Sequence, residues 1–314
     1  MGMAKPIAKL VAMLTPKRTW FQFRLRTLFV LVAVASFPCA WLASMLHMKY
    51  RERNVVAHIL RVGGHVQYAW EKDIGRGSGH VSEAIRGEPP GPQWIRKLLG
   101  DDFVTTVSRV TFRQKGINDS ALADLDLEGL PQLSGLALNG PLITDRSLAR
   151  LQGITKLQSL DLSGTQVTDV GLMHLRPLKR LEFLALNETQ VTDAGLAQLG
   201  TLMSLQHIEL TATRLTGSGL GHLCSLPCLE TLRLERTLTT DGEMANVQLL
   251  TRLRELDLSC TVVSDAGLFC LRELSDLRRL NLRLTLVSDS GVAELRAALP
   301  RCKVVGYGKN FVGG

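Results

Sequence analysis

The sequence predicts an α/β solenoid, a stack of short parallel strands on one side and helices on the other, preceded by a single membrane-crossing helix. Three observations predict it. Apolar positions recur every 24 residues through the last two-thirds of the chain. Each period holds strand-type alternation followed by helix-type spacing. Near the N-terminus stands a 19-residue run without a charge, Leu28 to Leu46. Composition agrees: 45% of residues are hydrophobic but only 5% aromatic, so the core must be aliphatic.

The period comes first. Aligned on the apolar residue of a V-T/S-D-x-G-L pattern, the units fall at Ile117, Ile143, Val167, Val191, Leu215, Thr239, Val263 and Val287, spaced 26 once and then 24 six times. A second register, Leu133, Leu157, Leu181, Leu205, Leu229, Leu253 and Leu277, also steps by 24. In the unit running from Leu157 to Leu178, Leu160 and Leu162 alternate and share one strand face. Thr165 and Val167 turn the chain away. Thr168 or Asp169 then suits a helix N-cap, and the equivalent acids Asp193, Asp265 and Asp289 are read as caps with Asp169. Leu172 and Leu175, three apart, face inward from a helix. One unit cannot close a core, but stacked units form a continuous one.

The pattern LxxLxLxxTxVTDxGLxxL over residues 104–307 resembles the leucine-rich-repeat family, in the variant found in bacterial membrane-anchored repeat proteins and in F-box proteins. The resemblance implies a curved horseshoe with strands on the concave face, helices on the convex face, and recognition of other macromolecules on the concave side. The chain departs from the commonest form by carrying Thr where many relatives have Asn: Thr165, Thr189, Thr213, Thr237, Thr261 and Thr285. A hydroxyl there can bond neighbouring backbone in the turn, so this ladder reads as structural. Gly217 replaces the motif Asp, and Thr239, Glu243 and Met244 replace Val, Gly and Leu, so the sixth unit is expected to pack less tightly. Cys302, Val305 and Tyr307 fall where Leu277, Leu280 and Leu282 would lie one unit on, shifted by one, and read as a closing strand.

The formal charge of +8 is not spread along the chain. From Val104 onward 22 basic and 22 acidic residues balance, whereas residues 1–61 hold ten basic residues against Glu52 alone. The basicity flanks the apolar run and so points to lipid headgroups. A helix of 19 residues spans about 28 Å, close to a bilayer core of about 30 Å. Its basic leader, 27 residues long, exceeds that of a cleaved signal peptide. The heavier N-terminal charge favours a cytoplasmic N-terminus and an exported repeat domain. The expected organisation is a basic segment at 1–27, a transmembrane helix at 28–46, and a short helix, strand and flexible linker over 47–92. The repeat domain then fills 93–307, its open end covered by the helix QWIRKLL, with a tail at 308–314.

Catalytic patterns are missing from the sequence: it has no phosphate-binding glycine loop, nucleophile elbow or kinase segment. His174 and His222 stand two units apart, about 10 Å, too far to share a metal directly. Cys224 and Cys228 lack further ligands at zinc spacing. Neither a cofactor nor a metal is expected, and the recurring Asp residues do not converge. What remains is the concave face, where alternation places Asp161, Phe183, Asn187, Glu209, Arg233, Glu235, Asp257 and Arg283 outward. The expected function is a non-catalytic protein- or peptide-recognition module tethered to membrane lipid through residues 28–46 and the flanking basic residues. The surrounding acids argue against nucleic acid on this face. The alternative is a structural spacer of the envelope without a defined ligand.

Overall fold

The computed structural model describes residues 18–69, 71, 89–90, 92–112 and 117–306, without the side chains of 18–35, 37, 38, 95, 98, 99, 102 and 104. Residues 1–52 and 53–314 form two compact units. In the first, the chain is helical from Arg18, within a helix that runs Arg18–Arg61. Lys49 and Glu52 pair across one helical turn at 2.8 Å. Much of the apolar run lies outside the described side chains, and among the described residues no helix is long and apolar enough to cross a membrane. The basic segment 1–17 lies outside the described residues altogether.

The second unit is built on one ten-stranded sheet whose strands follow in chain order. They are β1 (His65–Tyr68), β2 (Val107–Phe112), β3 (Gly135–Leu138), β4 (Ser159–Asp161), β5 (Phe183–Ala185), β6 (His207–Glu209), β7 (Thr231–Arg233), β8 (Glu255–Asp257), β9 (Arg279–Asn281) and β10 (Lys303–Val305). β1 pairs antiparallel with β2, and every later pair is parallel. The 24-residue period sets the register, so Leu160, Leu184, Ile208, Leu232, Leu256 and Leu280 face one another across strands and are 2% exposed or less. The second leucine register is equally buried, from Leu133 to Leu277. Helices of four to ten residues return the chain, and one unit uses the 3₁₀ helix Ser218–Ser225 instead. So short a helix is marginal alone. Its inward leucines, such as Leu196 and Leu199, hold it against the sheet.

The N-terminal end differs from the expected boundary at residue 93. Val55 and Ile59, from the last turns of the long helix, are buried in the same core as Val110 and Phe112. Gly64 lets the strand follow closely, because a Cβ there would lie 2.5 Å from the Phe112 ring. The end of the core is therefore closed by residues 53–68, which a repeat pattern cannot reveal since they repeat nothing. The helix Gln93–Leu99 forms as expected, with Trp94 67% exposed.

Two further expectations change. The sixth unit is packed as tightly as its neighbours: Thr239 and Met244 are fully buried, and the Thr239 hydroxyl finds that of Thr237 at 2.9 Å. At the C-terminal end Val304, not Val305, stands opposite Leu280. The last helix, Asp289–Ala298, is the longest of the repeats, and Cys302 takes the place of Leu277 one residue late. The strand then regains register by dropping one residue, since Lys303 pairs with Arg279. A one-residue slip exchanges the faces of a strand, which is why Val305 turns outward. Tyr307 lies outside the described residues.

Candidate functional site

Two sets of polar residues recur with the period, one in the joints between units and one on the outward face of the strands. In the joints the acids do not cap their own helices. The caps are the preceding hydroxyls: Thr168 accepts from the Val170 N–H, Thr192 from Ala194, Ser264 from Ala266 and Ser288 from Gly291. Asp169, Asp193, Asp265 and Asp289 are the first helical residues, and their carboxylates are free to reach forward. Asp169 accepts the Thr192 N–H at 2.8 Å and its hydroxyl at 2.6 Å, in the next unit. Asp265 does the same with Ser288. Asp193 accepts from Thr216 twice and from the N–H groups of Gly217 and Gly219. The forward partner of Asp289 would fall outside the described residues.

This explains the glycine of the motif. A Cβ at Gly267 would stand 2.5 Å from the Asp241 carboxylate, so the acid of one unit occupies the space that glycine leaves in the next. Where the second unit has Ser147 instead, its hydroxyl donates to Asp119. Burial pushes the Asp193 carboxyl up, but the donors from Gly219, Thr216 and Gly217 more than reverse this and hold it below 3.8. Asp119 is likewise raised by burial and lowered further by Ser147 and Thr144, ending below 3.8. Within each unit the threonine ladder closes the turn. Thr165, Thr189, Thr213, Thr237, Thr261 and Thr285 each donate to the leucine carbonyl three residues back, at 2.6 to 2.8 Å.

On the outward strand face the register brings together some of the predicted residues and separates others. Phe183 on β5 is half-buried beside His207 on β6, their ring centroids 6.3 Å apart. The Asn187 amide donates to the Ser163 hydroxyl and, at 2.9 Å, to Glu209, and its carbonyl accepts the Thr211 N–H. Glu209 is buried, and its other oxygen meets Arg233 at 3.2 Å. Ser163, Asn187, Glu209 and Arg233 thus form a continuous polar chain across four units. Asp161 reaches along its own unit to accept from the Ser163 N–H and hydroxyl. Asp257 does so to Ser259 and accepts from Asn281. Glu235 is half-exposed on the unit bearing Arg233, and Arg283 lies exposed two units further on. His207 and Asn281, which the same alternation places outward, share columns with Phe183 and Asp161, whereas Lys303 was hidden from the sequence by the register slip.

Among the described residues no group of three or more His, Cys, Asp or Glu could hold a metal ion. All six cysteines are free thiols. Burial raises the Cys224 thiol, which donates to the Asn246 carbonyl at 3.4 Å. Burial also pushes Cys302 up to about 11, a buried core thiol rather than a nucleophile.

An unbroken parallel sheet with one strand and one helical return per 24 residues defines a solenoid of repeats. A family model described as leucine-rich repeat matches residues 153–175 and 250–271. Over those stretches the chain is similar to the leucine-rich-repeat family. It is similar to the crystal structure of internalin C2 from Listeria monocytogenes, with 26% identity and a TM-score of 0.51 over 65% of this chain and 82% of that one. An internalin F structure from the same organism aligns at 21% identity and TM-score 0.38, over 69% and 74% of the two chains. A leucine-rich-repeat protein of Leptospira interrogans aligns at 20% and 0.47, over 68% and 51%. Comparison with curated protein sequences gives no match.

Proposed function

We propose that this chain is a membrane-anchored, non-catalytic recognition module that takes a protein or peptide on its concave strands. The observation that carries the reading is the polar chain Ser163–Asn187–Glu209–Arg233 lying beside the half-exposed Phe183. Its side chains are fixed before any partner arrives, which lowers the entropy that binding must overcome. Repeat folds commonly bind on this face, and aromatic and Arg residues dominate interface energies. Phe183→Ala with Arg233→Ala should weaken capture of a partner from membrane extract by about ten-fold or more, with circular dichroism unchanged. Unaltered capture would move the site off the concave face.

The anchor is the uncharged run Leu28–Leu46 with basic residues on both sides, N-terminus in the cytoplasm and repeats exported. Trp41, Leu42, Leu46 and Tyr50 are exposed on the helix, large apolar side chains that lipid would cover. The full chain should sediment with membranes, and removal of residues 1–52 should release it. Protease added outside spheroplasts should digest the repeats; full protection would reverse the orientation.

A further inference from the structure

The turns that lead from each strand toward its helix carry one exposed residue per unit: Gln166, Gln190, Arg214, Leu238, Val262 and Leu286. Neighbouring turns are tied together by backbone. The N–H of Arg214 donates to the Val191 carbonyl, that of Leu238 to Leu215 and that of Leu286 to Val263. Successive members of the column therefore stand about one strand spacing apart, about 4.8 Å. The first three are polar and the last three aliphatic. Leu238, Val262 and Leu286, with Leu284 just before the last, are 52–68% exposed. A single exposed aliphatic is ordinary, whereas a contiguous set marks a contact surface. The stripe also has opposite charges at its ends. Arg214 precedes Leu238, and Asp289 follows Leu286; both are exposed and neither has a partner among the described residues. Asp265 reaches one unit forward to Ser288. The same reach carries the Asp289 carboxylate past Leu286, away from Arg214.

We propose that this stripe joins two copies of the chain about a two-fold axis at Val262. Antiparallel apposition sets Val262 against its own counterpart and Leu238 of one copy against Leu286 of the other. It also brings Arg214 of one copy to Asp289 of the other, twice. The order Arg–Leu–Val–Leu–Asp is thus complementary to its own reverse, which is what an isologous contact requires. An anionic lipid surface would suit Arg214 and be repelled by Asp289. Four aliphatic side chains fall short of the roughly 800 Å² per partner of a standard interface, so the contact is weak, with a Kd on the order of 100 μM. The stripe lies on turns, so pairing and the outward strand face are separate surfaces and the two readings stand or fall separately.

The test uses the full chain in detergent micelles at about 100 μM, the scale of the expected affinity. Cys39→Ser and Cys260→Ser remove the thiol of the long helix and the one beside the stripe. Under mild oxidation Val262→Cys should form a linked dimer well above this background, because a residue on the axis meets itself. Leu238→Cys alone and Leu286→Cys alone should not link. Like residues there lie about 10 Å apart, and a disulfide needs Cα atoms within about 7 Å. An equimolar mixture of those two variants should link. Arg214→Glu and Asp289→Arg should each slow the linkage of Val262→Cys by about five-fold, and the two together should restore it to within about two-fold. Circular dichroism checks that each variant is folded. Linkage of Leu238→Cys with itself, none at Val262→Cys above background, or charge reversals that fail to compensate would each overturn the proposal. So would a thiol introduced at Val262 that is shielded from alkylation yet never linked, which would give the stripe to lipid or to a different protein.

Discussion

Gly217 and Glu243 show how far a single position depends on the unit beside it. Elsewhere an Asp in one unit fits against a Gly in the next or, in the second unit, against Ser147. Here the acid has moved: Gly217 occupies the Asp position, and Glu243 occupies the following Gly position and holds the Thr240 N–H and hydroxyl at 3.0 and 2.6 Å. A Cβ on Gly217, whose φ is +101°, would lie 2.8 Å from the Glu243 side chain. The two departures are one exchange. Gly217→Asp and Glu243→Gly should each destabilise by about 1–3 kcal/mol, and the double variant by less than their sum, with a coupling of about 1 kcal/mol or more. Urea titrations of all four proteins would measure it; strict additivity would sink the idea. The forward reach of the acids makes a second prediction. Asp193→Ala removes the acceptor of four donors and should cost about 2–3 kcal/mol. A cost of about 0.5 kcal/mol or less would show that these forward bonds carry little energy.

At the level of the repeating unit, the carboxylate joints link stability to pH. The folded values of Asp119 and Asp193 lie below 3.8, so the charged form is favoured in the native state. Their contribution is complete above about pH 4 and is lost as pH falls through the depressed folded values. Urea midpoints should therefore drop below about pH 4, and Asp193→Asn should flatten that drop. A midpoint independent of pH between 5 and 2 would show that the joints carry no such energy. The leucine columns act by packing instead: Leu184 is fully buried between neighbouring units, and Leu184→Ala should cost about 2–5 kcal/mol.

Across the molecule, the ends decide whether the stack holds together. Terminal units of a repeat protein need a cap, because each unit buries its face only against neighbours. Residues 53–68 supply it here through Val55, Ile59 and the strand β1. A chain beginning at Arg53 should be soluble and monodisperse in gel filtration. A chain beginning at residue 93, the boundary the repeat pattern suggests, exposes Val110 and Phe112 and should aggregate. Equal behaviour of the two would remove the capping role. The charge is divided along the same lines, since the repeats are balanced and the excess lies in residues 1–61.

The amino-acid order alone determined the solenoid. A period of 24 with leucines at fixed offsets has only one arrangement that buries them all, so strand order, parallel pairing and the columns of the concave face could be read without coordinates. The hydroxyls of Thr165 through Thr285 were legible because a turn offers them a carbonyl within three residues. What needed the tertiary structure were contacts made between units rather than within one. The forward reach of Asp169, Asp193 and Asp265 is one such contact. So is the left-handed backbone of Glu188, Ala212, Arg236 and Cys260, at φ 55–57°. Nothing in those residue types asks for that conformation; it is held because each N–H donates to a carbonyl of the following unit at 2.7–3.0 Å. The faces of Val304 and Val305 and the capping role of Val55 and Ile59 belong to the same class. Periodicity reports what every unit shares, and it is silent where a residue's energy comes from a neighbour that breaks the period.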